Sequence, residues 1–166
     1  PYVINGVVAG VIVMSTLKIF ESLFGEITNF TLLELCDSSH PLLKKMLTEA
    51  PGTYHHSMVV SNLSEAAADA IGANALLIRV GSYFHDIGKI PKPEYYTENQ
   101  ILTGNKHDHL EPSMSRLVIL NHVKEGVEMA RKYRLNQKII DFIPQHHGTR
   151  LMYFFYQKAL SESGGQ

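Results

Sequence analysis

The chain has 166 residues, enough for one domain with a sizeable core, and its net charge of -1 supplies no general attraction to nucleic acid or anionic lipid. Its single cysteine, Cys36, excludes an internal disulfide, and with nothing resembling a cleaved secretory signal it fits a reducing, cytoplasmic setting. Nine histidines are what the composition leaves to be explained.

In chain order, Tyr2–Phe24 is mostly apolar, interrupted mainly by Asn5, Lys18 and Glu21. The run VVAGVIVM is too short by itself to cross a bilayer, so this half reads as the end of something longer. Leu17, Phe20, Leu23 and Phe24 then fall at helical spacing, as in a helix lying on a membrane or covering the domain. A packed core helix explains the stretch equally well. Residues 1–27 are expected to form this membrane-proximal helix and 28–166 a single domain.

Beyond Thr28, short helices alternate with turn signals and no sustained period-two alternation argues for a sheet, so the expected fold class is all-α. Helices are predicted over 31–36 and Pro41–Glu49, then, after the break APGTY, over 54–70 and 73–87. Gly88 stops the last of these, and the irregular stretch KPEYYTENQILTGNKHDH is long enough to be functional. Helices resume over 113–133, with Ser113 or Ser115 as cap, over 137–147 and over 151–160, before a flexible tail, SESGGQ.

The histidines fall on inward stripes. His56, Val59, Val60 and Leu63 share the i, i+3, i+4, i+7 face of one helix, with His55 rotated about 100° away. His85 follows Leu77 and Gly81 on one side of the next helix, with Asp86 adjacent. His122 shares a face with Ser115, Val118, Ile119, Gly126 and Met129, and Ile139, Ile140 and Ile143 lead to His146 and His147. Any one of these reads as a core histidine bonded to backbone. Five histidines and an aspartate buried separately would each need desolvation and private partners, whereas one shared metal site turns their lone pairs into ligands. Imidazole with carboxylate and no thiolate suits iron, manganese or zinc, and six ligands exceed what one tetrahedral ion needs, so two ions are expected. Asp86 can bridge them. Two ions about 3.5–4 Å apart can hold a hydroxide between them and clamp both the attacking and leaving oxygens of a phosphoryl centre.

The order of His56, His85-Asp86 in FHDIGK, His122 in NHVKEGV and the double histidine of QHHGT resembles the HD superfamily of metal-dependent phosphohydrolases. More narrowly, LLELCDSSHPLLKKMLTEAPGTYHHS, IGANALLIRVGSYFHDIGKI, ENQ, GNKHDHLEPSMS and QHHGT resemble the cytoplasmic domain of the seven-transmembrane-receptor HD family, whose PgpH-type members hydrolyse cyclic di-AMP to linear pApA. The resemblance runs from about FESLFGEIT to YFFYQKAL. It implies a single-domain helical bundle with a metal site in its core. It also implies two ions, iron or manganese, with His56 and His85 on one, His122, His146 and His147 on the other, and Asp86 between. The implied substrate is cyclic di-AMP rather than a nucleic-acid polymer, the implied setting the cytoplasmic side of a membrane protein with an upstream transmembrane region. The family pattern has a further aspartate ligand after the double histidine. This sequence has none after Asp141, and its Gly-Gly-containing end reads as a truncation.

By the same resemblance, metal-held hydroxide attacks phosphorus in line while the sugar 3′-oxygen leaves, and Lys89 binds phosphate or assists the leaving oxygen. A lysine there also serves simply to complement a helix dipole. His55 reads as a surface residue or a support to the ligands. His107 and His109, with Asp108, read as loop-stabilising groups, and Tyr54, Tyr83, Tyr95 and Tyr96 as packing residues within reach of an adenine. Two rival readings remain, an HD enzyme for another nucleotide and a degenerate HD domain that senses a nucleotide without cutting it. A homodimer through the N-terminal helix is compatible with the sequence.

Overall fold

The computed structural model describes residues 1–100, 104–148 and 153–162, and among them helices and turns account for all regular structure, with no strand, as expected. α1 runs unbroken over Tyr2–Phe24, α2 over Asn29–Leu35, α3 over Pro41–Glu49, α4 over Pro51–Ala70 and α5 over Ala75–Phe84. Short 3-10 turns at Ile87–Lys89, Pro93–Tyr95, Thr97–Asn99 and Lys106–His109 lie between α5 and α6, Pro112–Lys132. Then come α7 (Gln137–Ile140), α8 (Phe142–Gln145) and α9 (Tyr153–Glu162). The predicted helix 151–160 thus overlaps α9, with Leu151 and Met152 outside the described residues.

Capping chemistry sets several boundaries. The Thr28 hydroxyl accepts from Thr31 N–H and starts α2 earlier than the periodicity indicates, His40 Nδ1 accepts from Leu42 N–H at α3, and Asn74 caps α5 through Leu77 N–H. α4 starts at Pro51, which fits a first helical turn, so APGTY opens the helix rather than breaking the chain before it. α6 starts the same way at Pro112, and neither Ser113 nor Ser115 caps it; Ser115 is buried instead. The predicted helix 137–147 divides at Asp141. Pro144 has no N–H to give Ile140, so one continuous hydrogen-bond ladder cannot run through.

The core gathers Leu32 from α2, Leu42 and Met46 from α3, Phe84 from α5, Ile87 from the following turn and Ile143 from α8, all with essentially no exposure. α4 lies against α5 through a different surface. The sequence puts His56, Val59, Val60 and Leu63 inward, but the structure turns Thr53, Ser57, Ser61 and Ala68 inward and leaves Leu63 67% exposed. Small side chains on a buried face let neighbouring backbone approach closely, as the Thr97–Asn99 turn does at Thr53, an arrangement that apolar periodicity does not reveal.

α1 corrects a second expectation. It is one 23-residue helix, long and apolar enough to cross a membrane by length and composition, with an 18-residue window of mean hydropathy 2.0 and none of that window buried. The packed-core reading does not hold among the described residues, since Glu21 is the one buried residue of α1. Ser15 and Thr16 return their hydroxyls to the carbonyls of Val11 and Ile12. Its end is fastened to the domain: Glu21 accepts from Thr28 N–H and the hydroxyls of Thr28 and Thr31, and Glu26 pairs with Lys138.

Candidate metal centre

α5 ends at Phe84, and His85 and Asp86 sit in the bend before the Ile87–Lys89 turn. That turn lies directly on α6. A Cβ on Gly88 would stand 1.7 Å from the His122 carbonyl oxygen, so only glycine at this position lets Asp86 come up to His122. His56 arrives from α4, one residue before the buried Ser57. His146 and His147 follow α8, whose Ile143 is fixed in the core.

Three of the histidines are aimed by the same local device. The Nδ1–H of His85 donates to Ser82 O at 2.7 Å, that of His146 to Ile143 O at 2.7 Å, and that of His122 to Ile119 O, in each case the carbonyl three residues back. With that proton on Nδ1, each Nε2 presents a lone pair. The His122 and His146 Nε2 atoms then face each other 3.4 Å apart, lone pair to lone pair, and His147 Nε2 lies 3.0 Å from His122 Nε2. The neutral His122 and His146 rings gain nothing from each other in this arrangement, and a proton on His147 Nε2 would satisfy only one of the two lone pairs. A cation placed among them would be bound by all three.

Asp86, 3% exposed, holds the centre. Its Oδ2 lies 3.1 Å from His85 Nε2 and 3.7 Å from His56 Nε2; its Oδ1 lies 3.5 Å from the Nε2 atoms of both His122 and His146. Oδ1 is buried without a hydrogen-bond donor. Two donor groups result, His56–His85–Asp86 and His122–His146–His147, each with ligand atoms within 4.8 Å of one another. An orphaned buried carboxylate oxygen among five convergent histidines fits a pair of divalent cations, and the nitrogen and oxygen donor set admits iron, manganese or zinc. Every metal residue expected from the sequence is therefore in one place, His56 included, although its side chain is 44% exposed and off the buried face of α4.

The electrostatics suit ligands. Burial would raise the Asp86 pKa, but the Lys89 ammonium 2.8 Å away, joined by His146 and His85 only when their Nε2 atoms carry a proton, holds it far below the usual carboxylate range. The part owed to Lys89 does not depend on ring protonation. Burial lowers His122 and His56, partly offset by Asp86, and burial with the neighbouring His146 and His122 lowers His147 to about 4. These three rings are neutral at pH 7, as metal ligation requires.

Lys89 is not a loose surface charge. Its Nζ lies 2.8 Å from Asp86 Oδ2 and 2.8 Å from Glu98 Oε1, and 5.0 Å from the centroid of the Tyr96 ring. Burial disfavours its charge, but Asp86 and Glu98 outweigh that and raise its pKa. Glu98 had no role in the sequence reading. Its only sign there was the fragment ENQ, and the contact that defines it closes through the tertiary fold. Of the tyrosines, Tyr96 alone belongs to this site, its ring edge-on to His122 and its hydroxyl donating to Val118 O at 3.3 Å. Tyr54 and Tyr83 pack in the core, and Tyr95 meets His107, whose Nε2–H donates to the Tyr95 carbonyl at 2.9 Å. His55 and His109 are exposed. A cavity of about 250 Å³ opens beside His122, with Tyr96, Leu117, Val118 and Asn121 among its walls.

Comparison with known proteins agrees with this geometry. The HD domain matches residues 53–163. The cyclic-di-AMP phosphodiesterase PgpH of Bacillus subtilis is 48% identical over 164 residues, 99% of this chain and 23% of that protein, and PgpH of Listeria monocytogenes is 51% identical over 156 residues, 94% and 22%. The chain thus spans less than a quarter of the curated relatives it matches. The crystal structure of the L. monocytogenes PgpH HD domain in complex with cyclic-di-AMP superposes with a TM-score of 0.73 at 54% identity, covering 76% of this chain and 59% of that one.

Proposed function

This chain belongs to the HD-domain family, and from that premise we propose that it is a metal-dependent phosphodiesterase that opens cyclic di-AMP to linear pApA. The observation that carries the reading is the carboxylate of Asp86 with one oxygen turned to each of two histidine groups. Similarity to relatives named for this activity, one of them crystallised with cyclic-di-AMP, supports the choice of substrate.

In this reading His56 and His85 hold one ion, His122, His146 and His147 the other, and Asp86 both, with iron or manganese the metals that suit the donors. When bound, the pair supplies Lewis acidity and a nucleophile at neutral pH. The protein residues do the rest. The backbone carbonyls of Ser82, Ile119 and Ile143 keep three rings oriented, so the donors need not reorganise. The Lys89 ammonium, 14% exposed and beside Asp86, donates to a phosphate oxygen and offsets the charge that develops there. The overall change adds water across one P–O3′ bond, hydroxyl to phosphorus and proton to the departing 3′-oxygen. The cavity beside His122 receives one purine of the dinucleotide.

A domain retained only for sensing has no need of six convergent donors, which weighs against the degenerate reading. We further read residues 1–27 as membrane-anchoring and 28–166 as the HD domain on the cytoplasmic side, supported by the exposure and length of α1. Incubating the manganese-loaded chain with cyclic di-AMP tests the activity: pApA should form, and Asp86→Ala should form none. No cleavage of any cyclic dinucleotide by protein carrying both ions would overturn the assignment.

A further inference from the structure

The Lys89 ammonium is shared by two carboxylates at the same 2.8 Å distance, and only one of them belongs to the metal centre. Asp86 is committed by its position to the cations. A lysine whose only anion is a bridging ligand is left, once two cations arrive, next to like charges that repel it. Its long flexible stem then gives it every reason to swing away. Glu98 removes that difficulty, because it stands on the far side of Nζ and is held by groups outside the metal centre.

The hold on Glu98 is specific. Thr53 in the first turn of α4 is fully buried and donates its hydroxyl to Glu98 Oε1 at 3.2 Å. That hydroxyl in turn accepts from Asn99 Nδ2 at 2.8 Å, while Thr53 N–H donates to Asn99 Oδ1 at 3.1 Å. Behind them the Thr97–Asn99 turn presses on α4 so closely that a Cβ on Gly52 would lie 1.8 Å from the Glu98 carbonyl oxygen. The carboxylate is thus placed by the start of α4, the helix that also carries His56.

We propose that Glu98 is a positioning residue for Lys89, holding the ammonium at the edge of the metal centre when Asp86 is engaged by cations, with Thr53 fixing Glu98. The proposal rests on the reading of Lys89 as the phosphate-binding group. Glu98 touches neither metal nor substrate and acts through the lysine alone.

The test uses Glu98→Gln, which keeps the shape and removes the charge, alongside Lys89→Met, the double variant, and Thr53→Val. In the manganese-loaded protein, kcat for cyclic di-AMP should fall roughly tenfold in Glu98→Gln, about the worth of one charge-assisted hydrogen bond, with KM little changed. Added to Lys89→Met it should cost nothing more. Independent of turnover, and with diamagnetic zinc in place of manganese, the two Hε protons of Lys89 should give separate NMR signals in the parent, as a held side chain does, and merge in Glu98→Gln and Thr53→Val. Additive losses in the double variant, or Lys89 signals unmoved by both substitutions, would overturn the proposal. Should the parent cut no cyclic dinucleotide, the functional reading fails while the Lys89 signals still decide the role of Glu98.

Discussion

The two halves of the metal centre share one carboxylate but are neutralised differently. Around Asp86 Oδ2 stand His56, His85 and the Lys89 ammonium, so this half carries a positive charge of the protein's own. Around Oδ1 stand His122 and His146, with His147 behind them, and among the described residues no lysine or arginine pairs with that oxygen. The first half therefore resembles a salt bridge that a metal must enter, and the second a nitrogen cage that only a cation satisfies. It follows that the second half should fill first and the first half should fill against competition from Lys89.

The largest effect should come from removing what the halves share. Asp86→Ala is expected to lower turnover on the order of a thousandfold or more and to reduce bound manganese below one equivalent, read by kinetics and metal analysis. Next come His122→Ala and His56→Ala, which should separate the halves. His122 is 1% exposed, so its loss should empty the second half and cost the metal-free protein about 1–3 kcal/mol in denaturant unfolding. His56 is half-exposed, and its loss should empty the first half while stability stays within about 0.5 kcal/mol. Equal loss of both ions in both variants would show that the halves are not separable.

A smaller effect tests the competition directly. Lys89→Met should tighten manganese binding in the first half by roughly tenfold in calorimetric titration, since an ammonium no longer shares Oδ2, even as turnover falls. The smallest concerns pH. His147 has a folded pKa of about 4 against an ordinary 6.5, lowered by burial and by His146 and His122, and His122 and His56 shift in the same direction. A lowered histidine pKa favours the folded state above the unfolded value and loses that contribution as pH falls toward the folded one. The Tm of the metal-free protein should decline between about pH 6.5 and pH 4, and substituting His147 with alanine should flatten that decline.

The sequence exposed the ligands more fully than it exposed the surfaces that deliver them. α6 reads correctly because Ser115, His122 and Gly126 are buried along one face with Val118, Ile119 and Met129 half-buried beside them. α4 misleads because its inward residues are Thr53, Ser57 and Ser61, while Val59 and Leu63, the residues that look like core, face out. His56 reaches the site all the same, from the margin of that face, and its place in the sequence pattern was the better guide than its stripe. Glu98 was invisible because a carboxylate in an irregular stretch acquires meaning only when the Thr97–Asn99 turn closes on α4. α1 was legible as one helix, but its sequence did not tell a packed core helix from an exposed one, because apolar residues such as Val8, Val11 and Ile12 read the same whether or not anything covers them.

The central claim is that six side chains grip two cations across Asp86, and an anomalous difference map from a manganese-soaked crystal tests it most directly. Two peaks about 3.5–4 Å apart are expected, one beside His56 and His85 and one beside His122, His146 and His147, with Asp86 touching both. A map with no peak at Asp86 after soaking, or with one ion bound elsewhere, would contradict the account.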